Sequence, residues 1–226
     1  MNPYKEFLKR LETLAKKLDS MDRVIVKEFE IRPPVSEQEL QQIIENAKEK
    51  DEIILHQDFI DFYKECDGVS LVWTFDFLED NYSEIGSTNI EPVSAFLGSW
   101  KDFLYFDWED DGAGDANIID GYDLRRCKAF DLFVAEACNI VFFPENKPEY
   151  EILYHYCGEE IIPTNWNLQQ YLDNLIKAKA LWYWSEKLAT GTPEEFFDEI
   201  REDEFYESAK NEVTEHIFEE ILNLKI

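Results

Sequence analysis

Apolar positions recur at helical spacing from the start of the chain. Tyr4, Phe7, Leu8, Leu11, Leu14, Ala15 and Leu18 fall on one stripe, which predicts an amphipathic helix with a basic outer face. The run Val24 to Ile31 has strand character. Pro33 and Pro34 then stop whatever precedes them. Ser36 fits a helix N-cap, and Glu39 three residues on completes a capping box. Val35 and Leu40 stand at the two positions of a hydrophobic staple. Leu40, Ile43, Ile44 and Ala47 form the apolar face of the helix so opened. A second, short helix carries Phe59, Phe62 and Tyr63 and ends near Asp67-Gly68, where glycine accepts the left-handed conformation.

The period then changes from helix to strand. Val69 to Phe77, Phe103 to Trp108, Asn117 to Asp120, Lys128 to Phe133, Asn139 to Phe143 and Tyr150 to Tyr156 are rich in β-branched and aromatic residues. No helical pattern separates them, so the expected sheet is largely antiparallel. Helices return after Pro163. Leu168, Tyr171, Leu172, Leu175, Ile176, Ala180 and Leu181 lie on one stripe, with Gly191 as its end. Thr192, Pro193 and Glu195 open another helix by a capping box. Val213, Ile217, Phe218, Ile221 and Leu224 suggest a last one. The fold class expected is α+β, with a largely antiparallel central sheet flanked by helices from both ends. Residues 1–190 form the expected domain, and residues 191–226 an acidic helical extension packed on it.

Charge changes the picture more than composition does. Fifty Asp and Glu oppose 22 Lys and Arg, a formal net charge of −28. Such a surface repels phosphate backbones and anionic headgroups, and it attracts basic partners. Direct nucleic-acid or membrane binding is therefore not expected. The charge is uneven: Met1 to Lys27 holds seven bases against four acids, and Gly191 to Ile226 twelve acids against three bases. A basic start and an acidic end are able to pair. No apolar run approaches a membrane span, and the start lacks a signal-peptide pattern, so a cytoplasmic location is expected. Cys66, Cys127, Cys138 and Cys157 make no CxxC pair and read as reduced core thiols.

Candidate chemistry is sparse. Asp107, Glu109 and Asp111 occupy the first three ligand positions of a calcium loop, with Gly112 at its turn. The twelfth position needs a bidentate Glu, and Ile118 stands there. The segment reads better as a polar turn between two strands, and no metal or other cofactor is expected. His56, His155 and His216 are far apart and sit in no metal-ligand spacing; His155 alternates within a strand and reads as a satisfied sheet residue. No nucleophile elbow, phosphate loop or dinucleotide fingerprint occurs. Trp182, Tyr183 and Trp184 are able to line a sugar site, but at this spacing aromatics more often belong to the core.

The order of the signals resembles the SUKH superfamily, the Smi- and Knr-like proteins. The resemblance is carried by Pro34, Ser36, Glu39 and Leu40, by Asp58-Phe59 with Phe62-Tyr63, and by Cys66-Asp67-Gly68. Val141-Phe142-Phe143 and Tyr171-Leu172 running to Tyr183-Trp184 extend it, so it covers residues 33–188. Leu55 is followed by His56 where the family usually has Pro, and Asp67 precedes Gly68 where it usually has Asn. The resemblance implies an immunity-type protein that binds a bacterial toxin, often a nuclease, or a regulatory or scaffold module.

The first expectation is thus a non-catalytic binder of a basic toxin domain, acting as a monomer or weak homodimer. A regulatory module with a cellular partner is the alternative, and an enzyme acting on a sugar or other small molecule the second alternative. Two acidic patches are the candidate partner surfaces. One is the loop with Asp107, Glu109, Asp110, Asp111 and Asp115; the other is the tail with Glu194, Glu195, Asp198 and Glu199. The tail also reads as a solvated helix face, as a neutraliser of the basic first helix, or as a mimic of a phosphate backbone.

Overall fold

The computed structural model describes residues 2–76, 85–98, 118–145, 147–156, 160–202 and 215–226. Helix α1 (Pro3–Asp19) starts where the Asn2 side chain accepts from the Tyr4 amide at 2.9 Å, with Pro3 in the first turn. Its apolar stripe is buried as the spacing predicts, and it packs on β1 (Val24–Ile31) and on α5 (Leu168–Lys177). Helix α2 (Glu37–Asp51) begins at Ser36, whose hydroxyl accepts from the Glu39 amide at 3.2 Å. Val35 and Leu40 both reach the main core cluster. Ser36→Ala should therefore cost about 1 kcal/mol of stability, read as a lower urea midpoint at unchanged slope; an unchanged midpoint would show that the cap contributes nothing.

Helix α3 (Gln57–Tyr63) is the short aromatic helix, but it ends at Tyr63 and not at Gly68. Gly68 has positive φ (+91°) at the entry to β2 (Val69–Phe75), and a Cβ there would also collide with the Ile90 carbonyl and approach Arg32 Nη1 to 2.9 Å, so both conformation and space call for glycine. There follow β3 (Gly86–Ile90), α4 (Val93–Phe96), the hairpin β4 (Ile118–Ile119) and β5 (Tyr122–Asp123), then β6 (Cys127–Asp131), β7 (Ala137–Phe142), β8 (Glu151–Tyr156) and β9 (Glu160–Pro163). Beyond α5 come α6 (Trp184–Thr190), α7 (Pro193–Glu202) and α8 (Glu215–Leu222). Among the described residues the main sheet has the order β1-β2-β3-β6-β7-β8-β9, and every neighbouring pair is antiparallel. The fold is α+β. No described helix is long and apolar enough to cross a membrane.

Alternation along β6 and β7 divides the interior. Phe130, Val141 and Phe143 join the main cluster with the helices, while Cys127, Ala129, Cys138 and Ile140 form a second cluster with Leu124, Leu153 and Ile161. Phe196 and Ile200 of α7, and Ile217, Phe218, Ile221 and Leu222 of α8, are buried in the same main cluster as α1. Cys66, Cys127 and Cys138 are buried; Cys157 lies outside the described residues. Lys128 is 1 % exposed in mid-strand, and its ammonium donates to Asp51 Oδ2 at 2.7 Å and to the Gly98 carbonyl at 2.6 Å. It ties the ends of α2 and α4 to the sheet.

The stripe from Leu168 to Leu181 is not one helix. It breaks after Lys177, and Lys179, Ala180 and Tyr183 are all left-handed. The break lets residues 179–182 lie against β2 and β3. Trp73 Nε1 donates to the Lys179 carbonyl at 2.8 Å, Ser87 N to the Ala180 carbonyl at 2.7 Å, and Trp182 N to the Ile85 carbonyl at 3.2 Å. Gly191 follows α6, a separate helix, with extended rather than left-handed backbone.

Candidate functional site

Two groups of polar side chains stand apart from ordinary surface. The first lies at the seam between β3 and β6, which meet at a single residue pair, Ile90 and Asp131. Asp131 is fully buried and accepts three hydrogen bonds: from Thr88 Oγ1 (2.7 Å), from the Asn89 amide (2.7 Å) and from the Tyr171 hydroxyl (2.7 Å). Asn139 Nδ2 donates to the Tyr171 hydroxyl at 2.9 Å. Burial pushes the Asp131 carboxyl above its usual range, and the donors from Tyr171, Thr88 and Asn89 oppose that. On the adjoining side Arg32 donates to the Ile90 carbonyl and to Asn89 Oδ1, and Asn89 Nδ2 donates to Glu91 Oε1. Thr88, Asp131, Asn139 and Tyr171 are each 0 % exposed, so these groups meet one another and no solute. The network joins the two halves of the sheet.

The second group lines an open cleft of about 520 Å³ where α3, the start of β8 and the turn from β9 into α5 converge. Tyr150 organises it. Its ring packs edge-on to Phe59 at 4.9 Å and lies 5.0 Å from the His56 ring. Its hydroxyl donates to Asp58 Oδ2 at 2.9 Å and accepts from the Leu168 amide at 2.8 Å, which links the first turns of α3 and α5. Burial pushes the Tyr150 hydroxyl well above its usual range. The Asp58 amide donates to His56 Nδ1 at 3.2 Å. Across the cleft, Thr164 anchors the turn to the Ile152 carbonyl, Asn165 is left-handed, and Trp166 stacks on Trp184 at 5.8 Å with the rings 3° from parallel. Asn167 then caps α5 in a full capping box with Gln170. Asp58 and Asn167 also line a neighbouring depression of about 250 Å³, which adds Asp61. Every charged residue among the described lining residues of both is acidic, His56 aside.

The helix N-termini that open here have amides committed to their own caps: Leu168 to Tyr150, Gln170 to Asn167, and Asp58 to His56. That weakens the usual attraction of such ends for anions. The carboxylates set the sign of the cleft. No protein-family model matches the chain, and no curated protein or solved structure matches it either.

The sequence-predicted patches fare differently. Asp107, Glu109, Asp110, Asp111 and Asp115 lie outside the described residues. Glu194 is in α7, with its side chain outside the description. Glu195 is committed to the cap: Thr192 N donates to its Oε2 at 2.7 Å, and these bonds hold its carboxyl below the usual range. Asp198 pairs with Arg201 at 2.8 Å, and Arg201 in turn binds both oxygens of Glu219. Glu199 is exposed on the same helix. Four basic residues of α1 meet other partners than these tail acids. Arg10 pairs with Asp173, Lys5 with Glu65 and Lys16 with Glu12, and Lys17 donates to the Lys225 carbonyl. His155 is a buried sheet residue with Nδ1 3.2 Å from the Glu160 carbonyl, and Trp184 is fully buried. Among the described residues no group of three His, Cys, Asp or Glu is placed to hold a metal ion.

The cleft does not show in the sequence because its members stand at positions 56–58, 148–152 and 163–167. Only the Asp58-Phe59 junction, at a helix start, stood out in the sequence.

Proposed function

We propose that this chain is an immunity-type protein of the SUKH kind, which binds a basic toxin domain one-to-one and neutralises it without chemistry of its own. The observation that carries the reading is the sign of the open surface. The cleft's charged lining is acidic, several basic residues of α1 are held in contacts within the chain, and the whole carries −28. The motif order from Pro34 to Trp184 supports the same reading. The buried carboxylate and hydroxyls of the Asp131 network are enclosed, which favours a structural role for them.

The test begins with capture of the partner from its native host and titration of that protein's activity. Activity should fall to zero at one equivalent of this chain. Association should exceed the neutral range of about 10⁵–10⁶ M⁻¹s⁻¹ and fall steeply with added salt, while dissociation changes little. Charge reversal in the Asp107–Asp115 loop, and separately at Glu194, Glu195, Asp198 and Glu199, apportions the attraction between those patches. A partner of acidic surface, or an association rate indifferent to salt, would overturn the reading.

A further inference from the structure

The aromatic, carboxylate-lined cleft has a chemistry of its own. Its volume, about 520 Å³, falls inside the range of roughly 300–1,000 Å³ typical of ligand clefts. Tyr150 and Trp166 supply aromatic surface, and both are held by contacts behind them, with Phe59 and with Trp184. Asp58, Glu149 and the adjoining Asp61 supply negative charge. Glu151 also borders the cleft; its carboxylate accepts from the Tyr122 hydroxyl at 3.0 Å, as Asp58 accepts from Tyr150 and Asp61 from Gln57, and each carboxylate keeps a second oxygen for a further donor. Asn165 and Asn167 add carboxamides, and no Lys or Arg is among the described lining residues.

We propose that this cleft is the receptor for an arginine side chain of the partner protein. The inference rests on the protein-binding reading above and names the anchor within it. Two features select a guanidinium over an ammonium. A planar cation stacks on Trp or Tyr while its edge hydrogen-bonds to a carboxylate, whereas an ammonium meets an aromatic face only as a point charge. The carboxylates border the aromatic surface, so one group is able to use both. A buried arginine in an aromatic pocket is also the kind of contact that dominates protein interfaces.

The test uses the full chain and three blocked tripeptides, Gly-X-Gly with X arginine, lysine or citrulline, titrated by NMR. Arginine should shift the Trp166 indole and His56 ring signals selectively. It should bind several-fold more tightly than lysine, and the neutral citrulline should not bind. Glu149→Gln with Asp61→Asn should weaken the arginine peptide about tenfold without moving the melting temperature; Glu149 is exposed, Asp61 is half-buried, and Gln57 can still donate to residue 61. Glu12→Gln on α1 is the control and should change nothing. Equal shifts from lysine, shifts spread over the whole acidic surface, or unchanged binding by the double variant would each overturn the site. Binding of citrulline as strong as that of arginine would instead mark a neutral-ligand cleft, also against the proposal. The two readings fail separately. Tripeptide binding with no basic partner captured would sink the toxin reading. Intact partner affinity in the double variant, with the tripeptide lost, would sink the anchor and leave the toxin reading standing.

Discussion

Asp131→Ala should destabilise the protein by about 4 kcal/mol, because it leaves three buried donors facing a void, each costing roughly 1–3 kcal/mol when orphaned, with partial relaxation. The donors are Thr88 Oγ1, the Asn89 amide and the Tyr171 hydroxyl, and the strands they hold share only one residue pair. Tyr171→Phe should cost less, about 1–2 kcal/mol, since Asp131 keeps two of its partners. Because both changes dissect one network, the double variant should be less destabilised than the sum of the singles. Strict additivity in urea unfolding would show that Asp131 and Tyr171 act independently.

The same residue gives a pH dependence whose sign is opposite to ordinary acid unfolding. Burial raises the native pKa of Asp131 above its unfolded value of about 3.9. A carboxyl raised in the native state contributes stability that is full below the unfolded pKa. That stability is lost as pH rises through the native pKa. Glu91 and Glu186 are raised by burial too and act in the same sense. These groups should therefore make the wild type more stable as pH falls from their raised native pKa values towards the unfolded carboxylate value, and Asp131→Asn should show a shallower slope over that window. Parallel slopes for the two proteins would remove Asp131 from the account.

What was legible in the sequence was whatever a short window decides. The α1 stripe, the Ser36 cap with its Val35 and Leu40 staple, and the reciprocal Thr192–Glu195 cap all depend on residues within one or two turns. Strand content came through for the same reason, the expected strand Phe103 to Trp108 aside, which lies outside the described residues, and the sheet is antiparallel as the consecutive strand signals implied. Strand β3, Gly-Ser-Thr-Asn-Ile, carries little alternation and was invisible. The break of the Leu168 stripe could not be read either. Lys179, Ala180 and Tyr183 are poor choices for left-handed backbone, and the Lys179 and Ala180 carbonyls are held by bonds from Trp73 and Ser87, far away in sequence. The Asp131 network and the cleft are assembled from segments tens of residues apart. Their members, a Thr in a weak strand or a Trp after Asn165, carry no local mark of the role.

Gly86→Ala should be as damaging as the loss of Asp131, at about 4 kcal/mol, although it adds a single methyl. A Cβ on residue 86 would overlap Trp73 Nε1 and stand 2.5 Å from Trp73 Cε2 and 2.9 Å from the Ala180 carbonyl. Neither neighbour is free to yield. Trp73 is fully buried, with its indole N–H donating to the Lys179 carbonyl. Ala180 is left-handed, and its carbonyl accepts from Ser87 N. Relieving the overlap means turning the indole away, which orphans a buried N–H, or lifting the 179–182 segment off β3. Overpacking of this kind costs about 1–3 kcal/mol, and a lost buried hydrogen bond adds about 1–3 kcal/mol. Gly121→Ala is the control, because it lies in the β4–β5 turn at φ +87° with open space around it. It should lose only about 1 kcal/mol from backbone strain. Thermal unfolding of the two variants separates crowding from conformation. Equal losses would mean that the contact among β3, Trp73 and Ala180 yields to a methyl. A much larger loss for Gly86→Ala than for Gly121→Ala, with tryptophan fluorescence altered before unfolding, would place the cost at that contact.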